Sequence, residues 1–125
     1  MMKKLLFLAL IVTSLLSVSC TKRVEGILRE NPSEISKKEA VKLRVYYEEQ
    51  LSTAEALLKD EKISDLRTYF KSPEWALAER CHDKLLQLPP ELATEMNIAG
   101  METHFVRFVN DVIKEGIPLR TVEEE

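Results

Sequence analysis

The residues best suited to covalent or acid–base chemistry are Cys20, Cys81, His82, Asp83 and His104. Cys81-His82-Asp83 offers a thiol, an imidazole and a carboxylate, the side-chain types of a thiol nucleophile with its base and orienting group. Their spacing works against that use, because consecutive residues of a helix point about 100° apart. Metal binding fares no better, since a site needs several His, Cys or carboxylate ligands at closing distances. One helical turn from His82 stand Ala78, Leu85 and Leu86, and one turn from His104 stand Gly100 and Phe108. His82 is expected as a solvated flank residue and His104 as a boundary residue. Cys81 falls on an apolar helical face and is expected to be a buried, inert thiol. Glu48-Glu49 and Asp60-Glu61 read as solvated helix surface. A G-x-S-x-G elbow and a phosphate-cradling glycine loop are both missing from the sequence. No catalytic residue, metal ligand or cofactor is assigned, and the chain reads as non-enzymatic.

Cys20 belongs to a different chemistry. Met1-Met2-Lys3-Lys4 is a short cationic start, Leu5 to Leu16 is an apolar run broken only by Thr13 and Ser14, and Ser17-Val18-Ser19 follows. A basic start, a short apolar stretch and small residues at the exit form a secretory signal. Leu5 to Val18 is 14 residues, whereas a membrane-spanning helix needs about 20. With Cys20 directly behind it, the segment resembles a bacterial lipoprotein signal, in which the cysteine becomes the mature N-terminus. The resemblance covers residues 1–20 only. Ser17 stands where such signals usually carry Leu, with Leu16 one step earlier. The resemblance implies lipidation of Cys20, by a diacylglyceryl thioether and usually an N-acyl chain such as palmitate. Two or three chains on one cysteine anchor a protein without a spanning helix. Thr21, rather than Asp, after the cysteine leans toward the outer membrane, facing the periplasm. The alternative is cleavage at Ser17-x-Ser19 without lipid, which leaves a Cys20–Cys81 disulfide open.

Composition bounds the rest. The chain has 125 residues and a net charge of −3, and loss of Lys3 and Lys4 with the signal makes the mature protein more acidic. An acidic chain is a poor nucleic-acid binder, because phosphate contacts need clustered Lys and Arg. Three Gly and five Pro speak against collagen-like, low-complexity or turn-rich β architecture, and 45% hydrophobic residues support a folded domain. A multidomain enzyme and a polytopic membrane protein are excluded by length.

The elements read as helices. Residues 1–19 are the expected signal, 20–33 the lipidated cysteine and tether, 34–118 the helical domain and 119–125 an acidic tail. Ser36-Lys37-Lys38-Glu39 has the form of a capping box. Ala40, Leu43, Tyr47, Leu51, Ala54 and Leu58 continue from it as one stripe, predicting a helix over about 37–60. Ser64 is expected to cap a short helix with Leu66, Tyr69 and Phe70 inside. Ser72-Pro73-Glu74 starts another helix, with Trp75, Ala78, Cys81, Leu85 and Leu88 on its buried side and Pro89-Pro90 ending it. Pro90 opens the last segment, in which Leu92, Met96 and Ala99 form a stripe and Gly100 kinks or divides the helix. Phe105, Phe108, Val109, Val112 and Ile113 form an amphipathic face, and Gly116, Ile117 and Pro118 form a Schellman ending. Strand signals are absent, so the expected fold class is all-α, a small three- to four-helix bundle on an N-terminal lipid tether.

The functional expectation is an envelope lipoprotein held to the membrane by acyl chains on Cys20. It presents its helical domain to a protein partner, as an assembly, secretion or exclusion accessory. Val41, Val45 and Tyr46, beside the main stripe of the first helix, are the expected partner-binding strip unless the bundle buries them. The alternative is a domain that binds a lipid or apolar small ligand between its helices.

Overall fold

The computed structural model describes residues 21–117, and every regular element among them is helical. Residues 21–28 form α1, and a short 3-10 turn follows at Pro32–Glu34. The remaining helices are α2 (Lys37–Lys59), α3 (Ile63–Phe70), α4 (Pro73–Leu85), α5 (Pro90–Glu95) and α6 (Ile98–Lys114). The protein is all-α, as its periodicity requires. Among the described residues no helix is long and apolar enough to cross a membrane. The expected signal, Cys20 and the acidic tail lie outside the described residues.

Local chemistry sets the helix ends. Ser36 accepts from the Glu39 amide while the Glu39 carboxylate accepts from the Ser36 amide, so the capping box is complete. Ser72 caps α4 through the Trp75 amide, with Pro73 in its first turn. At the end of α6, the Gly116 amide donates to Ile113 and the Ile117 amide to Val112, the Schellman pair. Gly116 has φ +73°, and the motif buries Ile117 beside Val112.

Two local expectations need correction. Ser64 lies inside α3 and does not cap it; Lys62 holds the cap position with no side-chain hydrogen bond. The break between α5 and α6 falls at Asn97, not at Gly100. Asn97 has φ 52°, a left-handed conformation that asparagine tolerates, and its side chain caps α6 through the Gly100 amide. A Cβ on Gly100 would lie 2.5 Å from the Asn97 amide nitrogen, so the glycine makes room for the cap. The break also resets the helical phase, so Ile98 is buried and Ala99 is exposed.

The core is built on the α2–α4 pair. Leu43, Leu51, Leu66 and Leu85 are fully enclosed, each contributing about 2 kcal/mol of apolar burial. Trp75 at the start of α4 is 1% exposed and packs against Phe70, with ring centroids 4.9 Å apart, and against Phe108, at 6.2 Å. The segment expected as a tether is instead helical over 21–28 and buries Val24, Ile27 and Leu28. These residues recur at i, i+3 and i+4, enough for one docked turn and a half. Thr21 and Glu25 border the same cleft as Tyr46 and Glu74, and the Glu30 side chain meets Glu39. So α1 runs antiparallel to α2, over the seam between α2 and α4.

Candidate functional site

Tyr46 and Tyr47 divide the work of α2. Tyr46 is 7% exposed and its hydroxyl lies 3.4 Å from the Glu74 carbonyl, beneath α1. Burial pushes its hydroxyl up to about 12 from the usual 10.0. It is therefore part of the fold, and the expected strip Val41–Val45–Tyr46 loses its aromatic member. Val41 and Val45 remain exposed, at 43% and 50%. They edge a shallow groove of about 190 Å³ between α1 and α2, together with Arg23, Val24 and Lys42.

Tyr47 turns to the other side and meets α4 and α6. Its ring stands 5.5 Å from that of His82 and 6.0 Å from that of Phe105, and His82 and Phe105 stack at 4.1 Å. His82 is thus buried rather than solvated, because the aromatic face of α6 closes over it. His82 Nδ1 lies 3.1 Å from Asp83 Oδ1, and Nε2 lies 2.7 Å from Glu102 Oε2. The latter approach is close but poorly directed, and neither atom completes a hydrogen bond. The Tyr47 hydroxyl is also buried without a partner among the described residues. Burial raises its pKa, and the Glu102, Glu48 and Glu55 carboxylates add to the shift.

Beside this cluster a polar cleft of about 350 Å³ separates α2 from the start of α6, lined by Arg44, Tyr47, Glu48, Glu55, Gly100 and His104. Two pairs occupy its walls: Arg44 Nε with Glu48 at 2.8 Å, and His104 Nε2 with Glu55 at 2.9 Å. Arg44 also donates to the Met96 carbonyl, tying α2 to the end of α5. His104 is exposed at the boundary, in line with its sequence position. Together the two histidine–glutamate contacts link α6 to α4 and to α2.

Cys81 is fully buried, and burial pushes its thiol up to about 12 from 9.0. It lies on the Tyr46 side of the α2–α4 pair, whereas His82 lies on the Tyr47 side. The thiol stays protonated at neutral pH and does not share a pocket with the imidazole. Among the described residues no group of three or more His, Cys, Asp or Glu side chains comes together in a way that could hold a metal.

Comparison with family models, with curated proteins and with solved structures finds no match to this chain.

The surface of α6 supplies what the sequence pattern concealed. Val106 is 47% exposed and Ile113 is 56% exposed, with half-buried Val109 between them. At i, i+3 and i+7 they form one apolar stripe on the outside of the bundle. The amphipathic face read from the sequence includes Ile113, but the structure turns it outward. The signal for its exposure was present: six of the nine residues from Phe105 to Ile113 are apolar, more than one buried face can hold.

Proposed function

We propose that this protein is a lipid-anchored envelope protein that presents a helical domain to a protein partner without catalysing a reaction. Cys20 carries the acyl chains, and the anchor leans to the outer membrane. The single observation that carries the partner half of this reading is the exposed pair Val106 and Ile113 on α6, bridged by half-buried Val109. The packed bundle leaves Val106 and Ile113 on the outer side of α6, where an apolar contact excludes water. The lipid half rests on the signal-like residues 1–19 and on Cys20.

Two measurements test the reading separately. Intact mass of the envelope form should equal residues 20–125 plus acyl chains, and the acyl mass should vanish in Cys20→Ser. A photo-crosslinking residue placed at Val106 should give one discrete protein adduct in cells, and Ile113→Asp should abolish it while leaving thermal melting nearly unchanged. Loss of the adduct only in variants that also unfold would count against a partner face on α6.

A further inference from the structure

The side of the bundle next to the anchor has its own composition. The exposed residues of α1 are Lys22, Arg23 and Gly26, and Arg29 follows at its end. Across the shallow groove, α2 presents Lys38, Val41, Lys42 and Val45 at i, i+3, i+4 and i+7, all exposed except half-buried Lys42. Five cations and two exposed valines therefore share one side of a chain whose net charge is −3. Lys22, Arg23, Arg29 and Lys38 enter no ion pair among the described residues. The acidic groups near this side are exposed Glu49 and Glu48 beyond Val45, the latter paired with Arg44, half-buried Glu25 toward α4, and the carboxylates of Glu30, Glu34 and Glu39 at the other end.

The course of α1 fixes how this side can meet a membrane. Thr21, one residue from Cys20, lies beside Tyr46 in the middle of α2. The helix continues past that point from Tyr47 to Lys59, about 20 Å of charged, water-facing structure. A bilayer reached at residue 20 therefore cannot sit beyond the end of the bundle without swallowing half of α2. The bundle has to lie lengthwise, with α1 toward the lipid.

We propose that the face formed by Lys22, Arg23, Arg29, Lys38, Lys42, Val41 and Val45 rests on the anionic lipid surface that carries the anchor. The cations meet phospholipid headgroups and the two valines enter the interfacial layer. This inference rests on acylation of Cys20. It leaves the outer side of α6 free for the protein partner, because Tyr46 and Tyr47 place α1 and α6 on different sides of α2. An acyl chain supplies the anchor, and the basic patch supplies the second, orienting signal that one-sided docking needs.

The test uses the full-length protein purified from the envelope, its acyl mass verified, and reconstituted into vesicles. Single variants Val45→Cys and Ile113→Cys report accessibility to a water-soluble thiol reagent, since Cys81 is buried. In vesicles of equimolar phosphatidylglycerol and phosphatidylcholine, Val45→Cys should react about tenfold more slowly than in pure phosphatidylcholine. Ile113→Cys should react equally fast in both. Adding Lys38→Glu and Lys42→Glu, or raising salt, should restore the rate at position 45. Equal rates at position 45 in the two vesicles, with the acyl mass present, would overturn the orientation, and slowing at position 113 alone would assign the membrane face to α6. Protection at position 45 in native membranes but not in anionic vesicles would assign the face to a protein and overturn the proposal. Absence of acyl mass would instead remove the lipoprotein reading beneath it, an outcome that the mass measurement separates from the others.

Discussion

The Tyr47 ring packs against those of His82 and Phe105 and its buried hydroxyl has no hydrogen-bond partner among the described residues, whereas the hydroxyl of Tyr46, its neighbour in sequence, reaches the Glu74 carbonyl at 3.4 Å. Both rings are core, but only one carries an unsatisfied polar atom. A buried hydroxyl left unpaired costs about 1–3 kcal/mol. Tyr47→Phe keeps the ring and removes that cost, so it should stabilise the domain by about 1 kcal/mol. Tyr46→Phe gives up the long bond to the Glu74 carbonyl and the contact with the Thr21 side chain, and should change stability in the opposite direction. Urea denaturation of the two variants measures the order. A clearly destabilised Tyr47→Phe would mean that the hydroxyl is satisfied in solution.

Alkaline pH should unfold the protein earlier than its helical composition implies. Burial raises the Cys81 thiol from 9.0 to about 12 and the Tyr46 hydroxyl from 10.0 to about 12, and it raises Tyr47 and Tyr69 as well. In the unfolded chain these groups lose protons near their usual values, while the native state keeps them. Between pH 9 and 12 the unfolded state therefore binds fewer protons, and stability falls as pH rises. Cys81 acts first, with a slope of at most about 1.4 kcal/mol per pH unit. Melting followed by circular dichroism should show Tm falling from pH 9 onward, and Cys81→Ala should flatten the curve between pH 9 and 10. An unchanged slope in that variant would show that the thiol ionises without unfolding.

Much of this fold is legible in the sequence because its helix ends are chemically explicit. Ser36 with Glu39, Ser72 with Pro73, and Gly116 with Ile117 each mark a boundary through one satisfied backbone group, and each holds in the structure. The misread positions depend on contacts distant in sequence. His82 is polar and flanked by charge, and the rings of Tyr47 on α2 and Phe105 on α6, both distant in sequence, make it a buried residue. Asn97 hides a helix start because its φ of 52° is unusual for a residue with a side chain. The candidate partner face was legible only in surplus: α6 carries more apolar residues than one face buries, but which of them faces outward depends on the phase set at Asn97.

His82 and Glu102 should behave as a coupled pair. The imidazole is 6% exposed, and its Nε2 lies 2.7 Å from the carboxylate on α6. Removing either partner leaves the other beside apolar rings. In a double-mutant cycle of His82→Ala and Glu102→Ala, the coupling energy should be about 1 kcal/mol, within the range for contacting polar pairs. The imidazole also fills the space between Tyr47 and Phe105, so His82→Ala alone should cost more than Glu102→Ala alone. A coupling energy near zero would mean that the approach contributes packing and no electrostatic attraction.

The segment behind the anchor should be part of the folded domain rather than a free spacer. Ile27 is 6% exposed and Val24 is 2% exposed, both pressed onto the α2–α4 seam. Ile27→Ala removes a buried branched side chain and should cost about 2–5 kcal/mol, the usual range for such a truncation. A surface spacer residue would cost within about 0.5 kcal/mol. Hydrogen exchange supplies a second reading. Amides of residues 25–28 should be protected in the native protein and exposed in Ile27→Ala, together with loosening around Tyr46, because α1 is what covers that ring. Fast exchange over 21–28 in the wild type would detach α1 from the bundle, and the lengthwise orientation on a membrane would then have no rigid link to the anchor.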